Sequence, residues 1–328
     1  MEPKLPKSRF FIFLETHPVF SRCFIFILIF TVPYVHLFLW RAPSTFPSEI
    51  IFSVEKGQSV SSVANSLTDA HIISSPFLFK NLVIMLGREN GIKAGDYSFE
   101  KPISAYGVAS RLTKAEYGLL PIKITIFEGL NIFEMASLFE KELIKFNSEN
   151  FLALAKEGYL FPDTYFFLQN ATESDVLSLM EKNFDKKIAK LNEKIKTFGK
   201  PLDEIVTMAS ILEEEARTTE TREIISGILW KRIKIGMPLQ VDVTFQYING
   251  KTTEELTLSD LEIDSPYNTY KYKGFPPTPI SNPGFDSLLA ALSPKDTPYF
   301  YFLSGKDGII YYATTFDEHK KNRALYLN

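Results

Sequence analysis

From Cys23 to Trp40 the chain reads CFIFILIFTVPYVHLFLW, a run with no formal charge. A helix of that length sits at the lower limit for crossing about 30 Å of hydrocarbon. Lys4, Lys7, Arg9 and Arg22 precede it, and only Arg41 follows closely. This bias predicts a cytoplasmic tail over residues 1–22, a transmembrane anchor over 23–40, and the bulk of the chain outside the cytoplasm. Ala42-Pro43-Ser44 has the small residues of a cleavage site. The long preceding tail and the apolar length nevertheless favour a retained anchor over a cleaved signal peptide.

The rest of the composition removes other classes. A net charge of -3 without a basic tract argues against nucleic acid as a partner. Cys23 is the single cysteine and lies in the apolar run, so no disulfide or cysteine-based metal site is expected. The four histidines are scattered, and neither metal nor cofactor is expected.

After a Pro/Ser-rich linker over residues 41–50, hydrophobic periodicity predicts a small module over 51–117. Its order is strand, helix, helix, strand and a last short helix. Val60, Val63, Ala64 and Leu67 mark the first helix. Ser75-Pro76 caps the second, since proline suits the first helical turn. A larger domain fills 118–328. It opens on an alternating strand, Ile122 to Phe127, and an amphipathic helix from Asn131. Gly158 to Phe167 reads as irregular and aromatic. Charged or amphipathic helices then run over Thr172–Leu191, Asp203–Arg217 and Glu223–Ile235. Ser265 to Gly284 is a proline-rich loop. Tyr299–Leu303 and Ile309–Ala313 form a hairpin. The fold class expected is α+β.

The helix from Asp203 carries the chemistry. At 100° per residue, Ile205, Val206, Met208, Ala209, Ile211, Leu212 and Ala216 form its apolar side. Glu214 then points almost opposite, towards solvent, and Glu213 and Glu215 border the core. A carboxyl at such an edge is partly desolvated and suits proton transfer to a leaving oxygen. Periodicity alone does not choose between Glu213 and Glu215.

The surrounding motifs sharpen this. Ala209-Ser210-Ile211-Leu212-Glu213-Glu214-Glu215 is followed by Gln240, Asp242 and Thr244, and by Tyr267-Asn268-Thr269-Tyr270. Gly274-Phe275-Pro276-Pro277 leads through to Asn282-Pro283-Gly284, and Phe161-Pro162-Asp163-Thr164-Tyr165 lies upstream. In order and spacing they resemble the endolytic murein transglycosylases, the MltG or YceG-like family, from about residue 50 to near the C-terminus. The small module resembles that family's LysM-like unit. The chain departs from the pattern at Glu214 (usually Lys), Val243 (Pro), Thr278 (Gly) and Phe127 (Pro).

The resemblance implies an enzyme that cuts the MurNAc–GlcNAc β-1,4 bond of nascent glycan strands. The C6 hydroxyl closes a 1,6-anhydro ring, so elongation is terminated beside peptidoglycan synthases. It makes Glu213 the catalytic acid and base. Glu215, Glu220, Arg222, Gln240, Asp242, Thr244, Tyr267, Asn268 and Thr269 are the supporting or sugar-binding candidates. For the polar loop residues among these, bracing of turns is the competing role. Two rival functions are a hydrolytic muramidase, with water as acceptor, and a non-catalytic glycan-binding scaffold tethered to the membrane.

Overall fold

The structure is a computed structural model that describes residues 41–87 and 91–327, with isolated positions 21, 26, 29, 31 and 33 upstream. The expected anchor, Cys23–Trp40, lies almost wholly outside the described residues. Among those described, no helix is long and apolar enough to cross a membrane. The chain divides into two compact units, Met1–Leu120 and Pro121–Asn328.

In the first unit, β1 (Ile50–Val54) pairs antiparallel with β2 (Gly95–Phe99). Between them run α1 (Val60–Asp69) and α2 (Pro76–Gly87), and α3 (Ala105–Lys114) follows. Ser59 and Ser104 start α1 and α3 by accepting backbone N–H groups of the first turn, which would otherwise lack a partner. Val63, Ala64, Leu67, Phe79, Tyr97 and Phe99 fill the core. Phe46, in the segment read as a linker, is buried in that core with its ring against Phe99.

The second unit is built round one helix. β3 (Pro121–Thr125) pairs antiparallel with β4 (Thr164–Leu168), Thr125 opposite Thr164. The segment expected to be irregular therefore ends in a strand, because its Tyr165 and Phe167 alternate into the core. Between the strands lie α4 (Ile132–Glu142) and α5 (Ser148–Leu154). Asn131 and Glu134 form a reciprocal capping box at the start of α4. After β4 come α6 (Glu173–Ala189), α7 (Asn192–Phe198), α8 (Leu202–Glu215), α9 (Thr219–Ile235) and α10 (Thr244–Asn249). Then follow α11 (Phe285–Ala291), the hairpin β5 (Tyr301–Ser304) and β6 (Ile310–Ala313), and α12 (Phe316–Tyr326).

Every residue of α8 from Ile205 to Leu212 is buried. It is a central helix, not an amphipathic one with a wet side. It packs on α11 and α9, and α9 is locked to α11 by the Trp230 Nε1–H donating to the Ala291 carbonyl at 3.0 Å. Gly227 lets α9 approach the chain beyond α11 closely, since a Cβ there would lie 2.0 Å from the Lys295 carbonyl oxygen. α9 starts four residues earlier than its hydrophobic pattern suggests. Thr218 caps it by accepting the Thr221 N–H, and this brings Glu220 and Arg222 onto the helix.

Candidate active site

Three acids end α8, and helical geometry sends them in three directions. Glu213 turns towards α9 and α11. Its Oε1 accepts from Arg222 Nη2 at 2.6 Å and its Oε2 accepts from the Gly284 N–H at 2.8 Å. Its side chain is only 6% exposed. The other terminal nitrogen of Arg222 donates to Asp286 Oδ2 at 2.7 Å, so one guanidinium bridges two carboxyl groups in a chain, Glu213–Arg222–Asp286. Gly284 immediately precedes α11 and Asp286 lies in its first turn.

Two loops close over this point. Gly129, after β3, donates its N–H to the Asn282 carbonyl at 3.0 Å, and the Asn282 N–H donates to the Leu130 carbonyl at 3.1 Å. Gly129 has φ +87°, and a Cβ there would meet Glu214 Oε1 at 2.8 Å. Glycine is thus required by both conformation and space. Glu128, just before it, reaches across Gly284: a Cβ on Gly284 would lie 1.9 Å from Glu128 Oε1. Burial and then the charge of Glu213 raise Glu128 above the ordinary carboxylate range, against the pull of Arg222.

The expectation that Glu214 is solvated fails. Glu214 lines a narrow pocket with Gly129, Asn131, Val243, Gln246, Tyr247 and Ile280. Its Oε1 is buried and has no hydrogen-bond partner among the described residues. Burial pushes its carboxyl up to about 7, helped by Glu213 and Glu134 and opposed by Ser281. The angular argument treated the side of α8 opposite its apolar face as water. Loops from residues 129–131 and 280 occupy that side.

Glu215 faces a third environment, where burial pushes it up to about 8, with Asp242 and Glu214 adding and Arg232 opposing. Arg232 is itself buried and donates to backbone carbonyls: Nε to Phe300 at 2.7 Å and Nη1 to Leu239 at 2.5 Å. The Tyr270 hydroxyl donates to Asp242 Oδ1. Burial raises Asp242 too. A carboxyl with a raised value in the fold holds its proton more tightly there than in the unfolded chain. The stability it contributes is complete below the ordinary value of 4.5 and is lost as pH rises through about 8. Glu215→Gln is therefore expected to make the decline of stability between pH 5 and 8 shallower. Denaturant titrations at the two pH values read this, and parallel wild-type and variant declines would contradict it.

The other expected residues separate into two groups. Arg222 and Glu213 come together as described. Glu220 does not join them: it is exposed and pairs with Lys295 Nζ at 3.1 Å. Asn268 is completely buried and braces its loop, donating to the Leu261 and Ile263 carbonyls and accepting from the Tyr270 and Lys271 N–H groups. Thr269 and Thr244 are likewise buried, and both hydroxyls donate to the Val241 carbonyl. Gln240 is exposed at φ +51°. The Tyr267 hydroxyl shares a hydrogen bond with Thr278 at 2.8 Å, and its ring lies 4.9 Å from that of Tyr247. Sequence reasoning overlooked Asp286, Glu128 and the Gly284 N–H as members of the site. The Asn282-Pro283-Gly284 motif piece, and the acid at 128 directly after the Phe127 departure, were the available signal.

The sequence profile of the YceG-like family matches residues 52–325. The chain belongs to the YceG-like family. A protein of Bacillus subtilis named endolytic murein transglycosylase is 32% identical over 305 residues, covering 84% of each chain. One of the same name from Streptococcus pneumoniae is 26% identical over 85% of this chain, which spans 58% of that longer protein. The crystal structure of a YceG-like protein from Listeria monocytogenes superposes with a TM-score of 0.55 at 28% identity, covering 84% of this chain and 99% of the other. In this YceG-like chain the Glu213–Arg222–Asp286 series lies within the matched residues, as do Glu128 and Gly284.

Proposed function

We propose that the chain is a membrane-anchored endolytic murein transglycosylase. It cuts the MurNAc–GlcNAc β-1,4 bond within nascent glycan strands, leaves a 1,6-anhydroMurNAc end, and so limits strand length near the synthases. The observation that carries this reading is Glu213, held at the end of a rigid central helix with Arg222 and a backbone N–H on its two oxygens. Family membership and the names of the relatives support the same substrate class.

The chemistry needs one proton donor at the bridging oxygen. Glu213 supplies that proton and becomes a carboxylate. Arg222 and the Gly284 N–H then stabilise the charge, and Asp286 keeps Arg222 in place. The substrate's own C6 hydroxyl is the nucleophile. Being part of the sugar, it needs no capture of water and gains the advantage of proximity.

Mass spectrometry of glycan strands digested by the purified protein tests the reaction. New ends are expected to be 1,6-anhydroMurNAc. Reducing MurNAc ends alone would select hydrolysis, and intact strands would select a glycan-binding scaffold. The basic flank before Cys23 supports an outside location for the enzyme. A reporter fused after Asn328 is accordingly expected to lie outside the cytoplasm, and a cytoplasmic signal would overturn the topology.

A further inference from the structure

In the first unit, α2 buries one side and leaves an apolar face on the other. Phe79, Leu82 and Val83 enter the core, where α2 packs on α1 and α3. Phe77, Ile84 and Met85 point outward and are 73%, 70% and 78% exposed. Ile84 and Met85 lie two turns on from Phe77, so the three share one helical face. Among the described residues of the module, 41–117, no other large apolar side chain is more than half exposed. Asn81 also lies on this face, but its Nδ2 turns back to donate to the Phe77 carbonyl at 2.8 Å. A clustered apolar face marks a contact with a membrane or with another molecule.

Tether and charge both select the membrane. Phe46 is buried with its ring against Phe99, and its N–H donates to the Pro43 carbonyl at 3.1 Å. The module is therefore held from its first residues. The expected anchor ends at Trp40, and the chain from there to Phe46 reaches at most about 20 Å when fully extended. A fold of this module's length has a radius of gyration of only about 11 Å, so every face of it can meet the bilayer surface. Lys80 is the only charged residue of α2, and it is exposed on the same face, between Phe77 and Ile84. Large apolar groups beside a lysine, with no acid on the helix, suit a helix lying in a headgroup layer.

We infer that α2 lies on the lipid surface, with Phe77, Ile84 and Met85 among the upper acyl chains and Lys80 among the phosphates. This rests on the membrane-anchored part of the proposed function and goes beyond it. α2 gives the module a second hold on the membrane, separate from the anchor.

The test uses the full-length protein in vesicles of mixed zwitterionic and anionic phospholipid, with bromine at a shallow or a deep position of the acyl chains. Bromine quenches a tryptophan that it touches. In wild type, Trp40 reports on the anchor, while Trp230 is buried in the second unit. In a Trp40→Phe background, Phe77→Trp reports on α2, and Lys56→Trp reports on the exposed turn after β1. Phe77→Trp is expected to shift to the blue and to lose emission. Shallow bromines should quench it more than deep ones, since an interfacial helix sinks only about 5–10 Å. Lys56→Trp should lose little. Adding Ile84→Asp and Met85→Asp to Phe77→Trp should abolish the quenching while the protein still floats with the vesicles. No quenching at position 77, or equal quenching at 56 and 77, would overturn the assignment. So would a blue shift at 77 without quenching, which marks a protein or glycan partner instead. If wild type neither floats with vesicles in high salt nor shows quenching of Trp40, the anchored reading fails, and this one with it. If it does both and Phe77→Trp is unquenched, only the role of α2 fails.

Discussion

Glu213→Gln is expected to fold like wild type and to lose glycan cleavage by roughly 10²-fold or more. Glutamine keeps the size of the side chain and can still accept from Arg222 or from the Gly284 N–H, the two contacts seen in the structure. It carries no proton that can pass to a leaving sugar oxygen. Arg222 retains Asp286 as its counter-charge, so the substitution leaves no buried guanidinium unpaired. A melting temperature close to wild type, together with the lost rate, would separate chemistry from folding. Glu214→Gln is the natural comparison. Its carboxyl points at Gly129 and Tyr247, not at Arg222, and it should keep most of the activity. An active Glu213→Gln beside an inactive Glu214→Gln would show that the wrong acid has been assigned.

Asn282→Ala should be the most destabilising single change near the site. The Asn282 side chain donates to Glu157 Oε1 at 2.7 Å and to the Leu130 carbonyl at 3.0 Å, and its Oδ1 accepts from the Leu160 N–H at 3.0 Å. Glu157 is a buried carboxyl, pushed up to about 7 by desolvation, and its other oxygen accepts the Ile132 N–H at the start of α4. Alanine removes all three side-chain bonds and strands a carboxyl oxygen and a backbone N–H away from water. At about 1–3 kcal/mol for each orphaned group, the loss should reach about 3–5 kcal/mol. That is a large part of the 5–15 kcal/mol that typically holds a domain together. The melting temperature should drop by on the order of 10 °C. Calorimetry on the full-length variant reads this directly, and a loss below about 1 kcal/mol would show that Asn282 is not the joint between these loops. Because the same residue pairs with Gly129 and Leu130 through its backbone, activity should fall together with stability.

Local chemistry made much of this fold readable in the chain. The period of 3.6 located α8 to within a residue or two of its ends, and Ser75-Pro76 marked a helix start where the Ser75 side chain does accept a first-turn N–H group. Tyr299–Leu303 and Ile309–Ala313, with a glycine-containing turn between them, sufficed for the last hairpin, which pairs Tyr301–Ser304 with Ile310–Ala313. Each of these signals is carried by residues within a few positions of one another. Glu213 was singled out by its motif, since periodicity treated Glu213 and Glu215 alike.

The surroundings of the three acids belong to the tertiary structure. Residues 128–130, 222 and 282–286 are far apart in the chain, and no local pattern brings them to the end of α8. Their convergence buried Glu214, which a helical wheel turns to water, and set Glu128 and Asp286 beside Glu213 and Arg222. The same long-range packing gave Asn268 four backbone partners and left Glu220 on the surface with Lys295. A side chain's period on its helix is a local property. Whether water or another loop lies beyond it depends on contacts across the whole unit, and those contacts decide which carboxyl is sealed, which is paired and which is free to meet a sugar.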